Sequence, residues 1–166
     1  MNSLRILLLL AALALAGCAT SSSEHTAEHP GRVLKRMTVR TTAYTHTEAG
    51  GSNNAVGTRL RFGGGVYSAA SDWSWLPLGT IFRMKETGRI YVIEDYGSAL
   101  VNRKTIDLYM PTRSAMNDWG VRHVEIEILD LGSKTMSLKM LEPRCRNRHV
   151  AVMVAQLREQ GVKPAG

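Results

Sequence analysis

The chain has 166 residues, of which 44% are hydrophobic and 21% are charged. This length allows one domain, or a small domain with a tether, and excludes a large two-domain enzyme, while the apolar fraction excludes a disordered chain. Lys and Arg number 21 against 14 Asp and Glu, a formal net charge of +7, and two cysteines are too few for a disulfide scaffold.

Residues 1–18 have the layout of an export signal. Arg5 supplies a positive start, and the apolar run from Ile6 to Ala16 is too short to span a bilayer comfortably. The segment ends in Leu-Ala-Gly-Cys18, which resembles a bacterial lipobox and implies cleavage before Cys18 and lipidation of that cysteine. We therefore predict a cell-envelope lipoprotein at the periplasmic face of the outer membrane, a sorting indicated by Ala19. The alternative is a plain secretory signal in which Cys18 is incidental.

The positive charge indicates the class of partner. A basic surface suits an acidic polymer or an anionic membrane, although a solvated, mildly basic surface explains the charge equally well. Export takes the chain away from nucleic acid, so we predict no nucleic-acid partner. With Cys18 lipidated, Cys145 stands alone in a basic segment near His149, and we assign it no role.

The composition of the chain changes after residues 1–18, which we call the leader. Residues 19–31 are rich in Ser, Thr, Glu and His and end in Pro-Gly, which is typical of a flexible tether. Within it, His25 and His29 are spaced like a metal pair on a helix, but the low-complexity context favours chance. We predict a folded domain over 32–142, followed by a basic turn and C-terminal helix over 143–166.

Short alternating segments predict a mainly β domain. Period-two patterns indicate strands near residues 37–44, 66–70, 80–85, 90–94, 104–109 and 124–128, and the alternation of Met136, Leu138 and Met140 indicates a seventh. Six or seven strands this short favour a small closed barrel, which leaves no exposed edge.

Two helices are predicted beside the strands. Pro111 to Trp119 is a short inserted helix, with Thr112 as its N-cap and Gly120 at its C-terminal end. The apolar spacing of Val150, Met153, Val154 and Leu157 predicts an amphipathic helix from His149 to Gln160. We expect that helix to pack on the domain; a membrane-surface helix is the less favoured alternative because it has few basic residues.

Two aspartates lie where a carboxylate is unusual. Asp95 closes an apolar strand, and Asp107 lies inside a strand between Ile106 and Leu108, although Asp is disfavoured in strands. Partial desolvation raises the pKa of a carboxyl group, as a general acid near neutral pH requires. The alternative is that Asp107 simply points outward while Ile106 and Leu108 face the core.

Several chemistries are not supported by the sequence. No serine lies in a Gly-x-Ser-x-Gly elbow, and no acidic cluster has calcium-loop spacing. His46, His123 and His149 lack zinc-ligand spacing. We therefore predict no metal site and no cofactor.

An ordered set of short motifs resembles a known family. The motifs are Thr42-Ala43-Tyr44, Ser71-Asp72, Leu76-Pro77-Leu78-Gly79-Thr80, Glu94-Asp95-Tyr96-Gly97-Ser98-Ala99 and Ile106-Asp107-Leu108-Tyr109. In this order they resemble the 3D domain family, named for its three aspartates, and the catalytic barrel of membrane-bound lytic transglycosylase A and its shorter stand-alone relatives. The resemblance covers roughly residues 38–130. It implies a six-stranded double-psi β-barrel, here with one short inserted helix and a C-terminal helix.

The resemblance also implies an activity and a site. The family cleaves the β-1,4 bond between N-acetylmuramic acid and N-acetylglucosamine in peptidoglycan, with formation of a 1,6-anhydro sugar. Its catalytic aspartate corresponds to Asp107, its second to Asp95, and its first, expected to be more structural, to Asp72. As sugar contacts we predict Tyr44, Thr58, Gly97 and Ser98.

The sequence departs from the family pattern at two of these motifs. Ser98 replaces a glycine, and Trp73 replaces the usual proline after the first aspartate. These departures keep a second function open, a non-catalytic lipoprotein that binds peptidoglycan, as related barrels in rare lipoprotein A-like proteins and expansins make plausible. A structural envelope lipoprotein is a third. The predicted partners are peptidoglycan glycan strands, the membrane through Cys18, and envelope proteins.

Overall fold

The computed structural model describes residues 32–48 and 51–164, and its centre is a closed barrel of six β-strands. The strands are β1 (Lys35–Tyr44), β2 (Val66–Ala70), β3 (Ile81–Met84), β4 (Ile90–Asp95), β5 (Thr105–Tyr109) and β6 (Arg122–Asp130). The predicted mainly β, six-stranded barrel is therefore confirmed. The predictions made for the leader, Cys18 and the tether concern residues outside the described ranges.

Strand order around the barrel is β1-β5-β2-β4-β3-β6, with β6 returning to β1. Two neighbouring pairs run parallel, β1 with β5 and β2 with β4, and the other pairs are antiparallel. The ladder that closes the barrel joins the first strand to the last, from Lys35 opposite Ile128 to Thr41 opposite Arg122. Closure of this kind pairs every strand on both sides and removes exposed edges.

Alternating side chains fill the barrel interior. Phe82 and Tyr91 stack with ring centroids 5.3 Å apart, and Ile106, Leu108 and Ile126 are fully buried beside them. The tight burial of branched and aromatic side chains supplies the hydrophobic free energy of folding.

The inserted helix forms where it is predicted. Helix α1 (Arg113–Trp119) is N-capped by Thr112, whose hydroxyl accepts a hydrogen bond from the Ala115 N–H at 3.1 Å. It ends at Gly120, which has a φ of 59°. Both ends thus follow the ordinary capping chemistry of short helices.

The predicted seventh strand is wrong, because Met136, Leu138 and Met140 lie on a helix. Helix α2 (Lys134–Leu141) is N-capped by Ser133, whose hydroxyl accepts from the Met136 N–H at 3.0 Å. Its buried side chains are Ser137, Leu138 and Leu141, a helical spacing, and Met136 is 47% exposed. Three alternating apolar residues cannot by themselves distinguish the period of a strand from that of a helix. The Ser133 cap favours the helix.

The C-terminal helix forms as predicted. Helix α3 (Arg148–Glu159) buries Val150, Met153, Val154 and Leu157 in the same core cluster as the barrel strands. Since this apolar face is covered by the protein, the membrane-surface alternative for the helix does not hold. Among the described residues, none of the helices has the length and apolar character needed to cross a membrane.

Gly132 joins β6 to α2 at a close backbone contact. Its N–H donates to the Thr80 hydroxyl at 3.1 Å, and the next N–H, of Ser133, donates to the Leu78 carbonyl at 2.9 Å. A Cβ atom at position 132 would lie 2.1 Å from that carbonyl oxygen, well inside van der Waals contact. Only glycine therefore permits this approach between the two backbone segments.

We expect Gly132→Ala to destabilise the protein by about 1–3 kcal/mol, because the backbone must move apart and lose these hydrogen bonds. Chemical denaturation measures the change. The control is Gly97→Ala, whose added Cβ would make only ordinary contacts at 3.7 Å from Leu100 and whose φ is −144°. Equal stability of the two variants would contradict the close-contact explanation.

Candidate active site

Asp107 lies in β5 on the face of the sheet that points away from the barrel core. Ile106 and Leu108 are fully buried in the interior, so strand alternation turns Asp107 the other way. The Thr42 hydroxyl on β1, directly opposite in the ladder, donates to Asp107 Oδ1 at 2.7 Å. The outward orientation is thus the one observed, and the surroundings of the carboxyl group decide what it can do.

Asp95 is the last residue of β4 and is fixed through its backbone and its side chain. Its carbonyl accepts from the Trp73 indole N–H at 2.9 Å and from the Ser71 N–H at 3.1 Å. Its carboxyl group accepts from the Tyr96 N–H at 2.9 Å and from the Tyr44 hydroxyl at 3.4 Å. The side chain therefore has little freedom to leave this position.

Ala70 separates the two carboxyl groups. It ends β2, the strand between β5 and β4, and pairs with Asp107 on one side and with Asp95 on the other. Two strand spacings place the two aspartate backbones roughly 10 Å apart. The methyl side chain of Ala70 leaves open space between the carboxyl groups.

Both carboxyl groups line one open cavity of about 480 Å³. Its walls come from the end of β1, from the loop at 51–55 and from the segment 96–100, together with Ala70. This volume lies within the range that small-molecule and sugar sites occupy in proteins.

The cavity changes the acidity of Asp107. Burial of the carboxyl group raises its pKa to about 6, and this outweighs the hydrogen bond from Thr42, which lowers it. Nearby Glu48 and Asp95 raise the pKa further, and Arg40 lowers it. Asp107 can therefore hold and release a proton close to neutral pH.

Asp95 and Tyr44 form a second polar unit in the cavity. Burial raises the pKa of Asp95, against the lowering effect of its hydrogen bonds from Tyr96, Tyr44 and the Ala55 backbone. Burial and the two aspartates raise the pKa of Tyr44 far above its ordinary value. The Tyr44 hydroxyl therefore stays protonated and acts as a hydrogen-bond donor.

Three of the four predicted sugar contacts line the cavity, and one does not. Tyr44, Gly97 and Ser98 are in its walls. Thr58 lies outside the lining, where its hydroxyl accepts from the Asn54 side-chain amide at 2.7 Å and so shapes the loop.

Asp72 is 2% exposed and lies outside the cavity lining. Its Oδ1 accepts from the backbone N–H and the hydroxyl of Ser74, at 2.9 and 2.6 Å, and its Oδ2 accepts from the Asn102 N–H at 2.8 Å. Asn102 has a φ of 61°, and it accepts a hydrogen bond from Gln156 of α3. Asp72 thus joins two loops and the C-terminal helix behind the site.

Sequence reasoning missed several cavity residues. Thr45, Glu48, Asn54 and Ala55 line the cavity together with Ala70. The loop at 51–55 is rich in residues that form turns, but nothing in its sequence indicates that it folds over β5. The usable signal was the two carboxyl groups, one at the end of an apolar strand and one inside another.

The described part of the chain holds no group of three or more His, Cys, Asp or Glu side chains arranged for a metal ion.

The site and barrel agree with the comparison against known families. Residues 67–130 match the 3D domain family model. This segment of the chain is therefore similar to the 3D domain family. All three aspartates named in the resemblance fall within the matched residues, and two of them meet in the cavity.

Two curated proteins of Bacillus subtilis (strain 168) are similar to this chain over 97 residues. The "Putative cell wall shaping protein YabE" is 35% identical, over 58% of this chain and 23% of its own length. The "Cell wall-binding protein YocH" is 32% identical, over 58% of this chain and 33% of its own length. The aligned segment thus spans a third or less of each relative.

We expect Asp107→Asn to stabilise the fold at neutral and alkaline pH. The carboxyl pKa is higher in the folded protein, about 6, than its ordinary value of 3.8, so ionisation begins to oppose folding as the pH rises above 3.8, and the effect is complete above about 6. Removing the charge should add up to about 3 kcal/mol above pH 7. Below the unfolded pKa both states are protonated, and the gain should vanish.

Thermal unfolding across the pH range checks this expectation, with Asp130→Asn as the control because Asp130 is exposed. A gain for Asp107→Asn that persists in acid, or that Asp130→Asn reproduces, would contradict it.

Proposed function

We propose that this protein is a peptidoglycan lytic transglycosylase that uses Asp107 as its acid and base. The observation that carries the proposal is the shared cavity, in which Asp107 has a pKa of about 6 and faces a second, hydrogen-bonded carboxyl group across Ala70. The 3D domain and the names of the two relatives, which refer to cell wall shaping and cell wall binding, support a wall polymer as the substrate.

In the first step, protonated Asp107 donates its proton to the glycosidic oxygen between N-acetylmuramic acid and N-acetylglucosamine. The bond from C1 of the muramic sugar to that oxygen breaks, and the leaving sugar departs with a new hydroxyl group. Positive charge develops at C1 and the ring oxygen. The partial desolvation of Asp107 keeps enough of its acid form near neutral pH for this donation.

In the second step, the 6-hydroxyl group of the same muramic sugar attacks C1. Ionised Asp107 takes the proton of that hydroxyl group, so the carboxyl group returns to its starting state and a 1,6-anhydro sugar forms. No water is consumed, which explains why a single acid–base carboxyl group suffices here, whereas hydrolytic glycosidases use two.

Asp95 has a supporting role in this scheme. Tyr44 and the Tyr96 N–H donate to its carboxyl group and partly offset the effect of burial on its pKa; its ionised form would stabilise positive charge on the sugar. Its charge also raises the pKa of Asp107. Tyr44 acts through Asp95 and is a positioning residue.

A second candidate function is binding without cleavage. One relative is named for cell wall binding, and Ser98 stands in the cavity wall where the family pattern has a glycine. A barrel that holds glycan strands would use the same cavity and the same basic surface. Under either function we place the protein in the cell envelope, anchored through lipidated Cys18.

For cleavage, the chain beginning at Cys18 should release 1,6-anhydro-muropeptides from isolated sacculi, measured by mass spectrometry. Asp107→Asn should lower the release about 10²–10⁴-fold, because it removes the acid and base. Asp130→Asn, an exposed control, should leave the rate unchanged.

Failure of the wild type to release products while it still co-sediments with sacculi would favour the binding function. Products ending in a reducing sugar would contradict the intramolecular attack.

The rate at limiting substrate should also fall with rising pH. Because the acid form of Asp107 is lost above its pKa of about 6, the release rate should drop about tenfold per pH unit at higher pH. A rate that stays flat between neutral and alkaline pH would exclude Asp107 as the proton donor.

A further inference from the structure

We propose that one face of this protein, which we call the Leu34 patch, rests on a membrane surface carrying anionic lipid headgroups. The patch consists of Leu34, Leu131 and Met136, which are 50%, 58% and 47% exposed. They are three of the five exposed large apolar side chains among the described residues. This inference does not depend on cleavage of glycan by the cavity.

The three residues lie at one place in the fold. The Leu34 N–H donates to the Ile128 carbonyl at 2.8 Å, so Leu34 adjoins the end of β6, from which Leu131 follows directly. Met136 is in the first turn of α2, which begins three residues after Leu131. Hydrogen bonds from Gly132 to Thr80 and from Ser133 to Leu78, in the segment just before β3, hold this turn in place.

Four exposed cations are close neighbours of the patch residues in the sequence. Arg32 and Lys35 flank Leu34, Lys134 and Lys139 lie on α2 beside Met136, and all four are exposed. Among the described residues none of the four forms an ion pair, and Lys134 donates instead to the Gln160 side chain at 2.6 Å. Among residues 32–35 and 130–141, Asp130 is the one carboxylate. Exposed apolar side chains with exposed cations in the same segments match a bilayer surface with anionic headgroups.

The sequence before Arg32 favours the membrane over other occupants. Residues 19–31 join the patch to Cys18, and 13 residues of any conformation reach at most roughly 45 Å. An anchor at Cys18 would therefore keep the patch at high effective concentration near the lipid, so that a weak contact suffices.

This orientation leaves the candidate active site accessible. Thr42, which holds Asp107, lies eight residues along β1 from Leu34, a strand length of roughly 25 Å. The cavity is thus separated from the lipid contact and remains open to a polymer.

Vesicle co-sedimentation tests the patch without the anchor. The chain spanning residues 31–166 is one compact unit that contains every described strand and helix and the whole core. We expect it to bind vesicles of phosphatidylglycerol and phosphatidylcholine more strongly than vesicles of phosphatidylcholine alone. Leu131→Ser should weaken binding to the anionic vesicles about fivefold, because it removes roughly half of a leucine burial.

The matched control is Val121→Ser, since Val121 is 59% exposed and lies beyond the other end of β6. It should bind as the wild type does, within about twofold. Three results would overturn the proposal: no preference for anionic vesicles, equal loss of binding in both variants, or binding that neither variant weakens. A loss of binding to isolated sacculi, but not to vesicles, in Leu131→Ser would assign the patch to the wall instead.

Discussion

The pairing of β2 with two strands at once is the constraint on which the site depends. Ala70 lies between β5 and β4 and fixes the register of both, so Asp107 and Asp95 reach the same level on the same face. A shift of one residue in either ladder would turn one carboxyl group into the core. The register shift between Ala69 and Ala70 occurs at this point, where β4 ends at Asp95.

The chemistry of the cavity follows from what covers that face. An aspartate on the outside of a barrel would ordinarily be solvated, with a pKa near its ordinary value. Here the loop at 51–55 and the segment 96–100 enclose it, and the partial loss of solvent raises the Asp107 pKa. Trp73 and Tyr96 pack edge to face behind Asp95, and His149 of α3 contacts Tyr96, so the wall of the cavity is supported by the hydrophobic core.

Much of the architecture could be predicted because strand alternation, caps and apolar spacing are local signals. The strands, α1 and α3 were predictable for that reason, and so were the two aspartates that interrupt apolar strands. Helix α2 was not, because three alternating residues fit either period until the Ser133 cap is recognised. Thr58 and the residues at 51–55 could not be placed, because their position depends on how a loop folds over β5, which no local pattern encodes.

The ladder between the first and last strands also affects how the chain folds. Arg36 and Glu127, paired across it, are 91 residues apart in the chain. Contacts of such long range must overcome a large loss of chain entropy before they contribute stability, so they form slowly. A chain emerging N-terminus first therefore exposes β1 without a partner until β5 and β6 have emerged. The wall of the cavity also contacts α3, so its complete support requires the last helix of the chain.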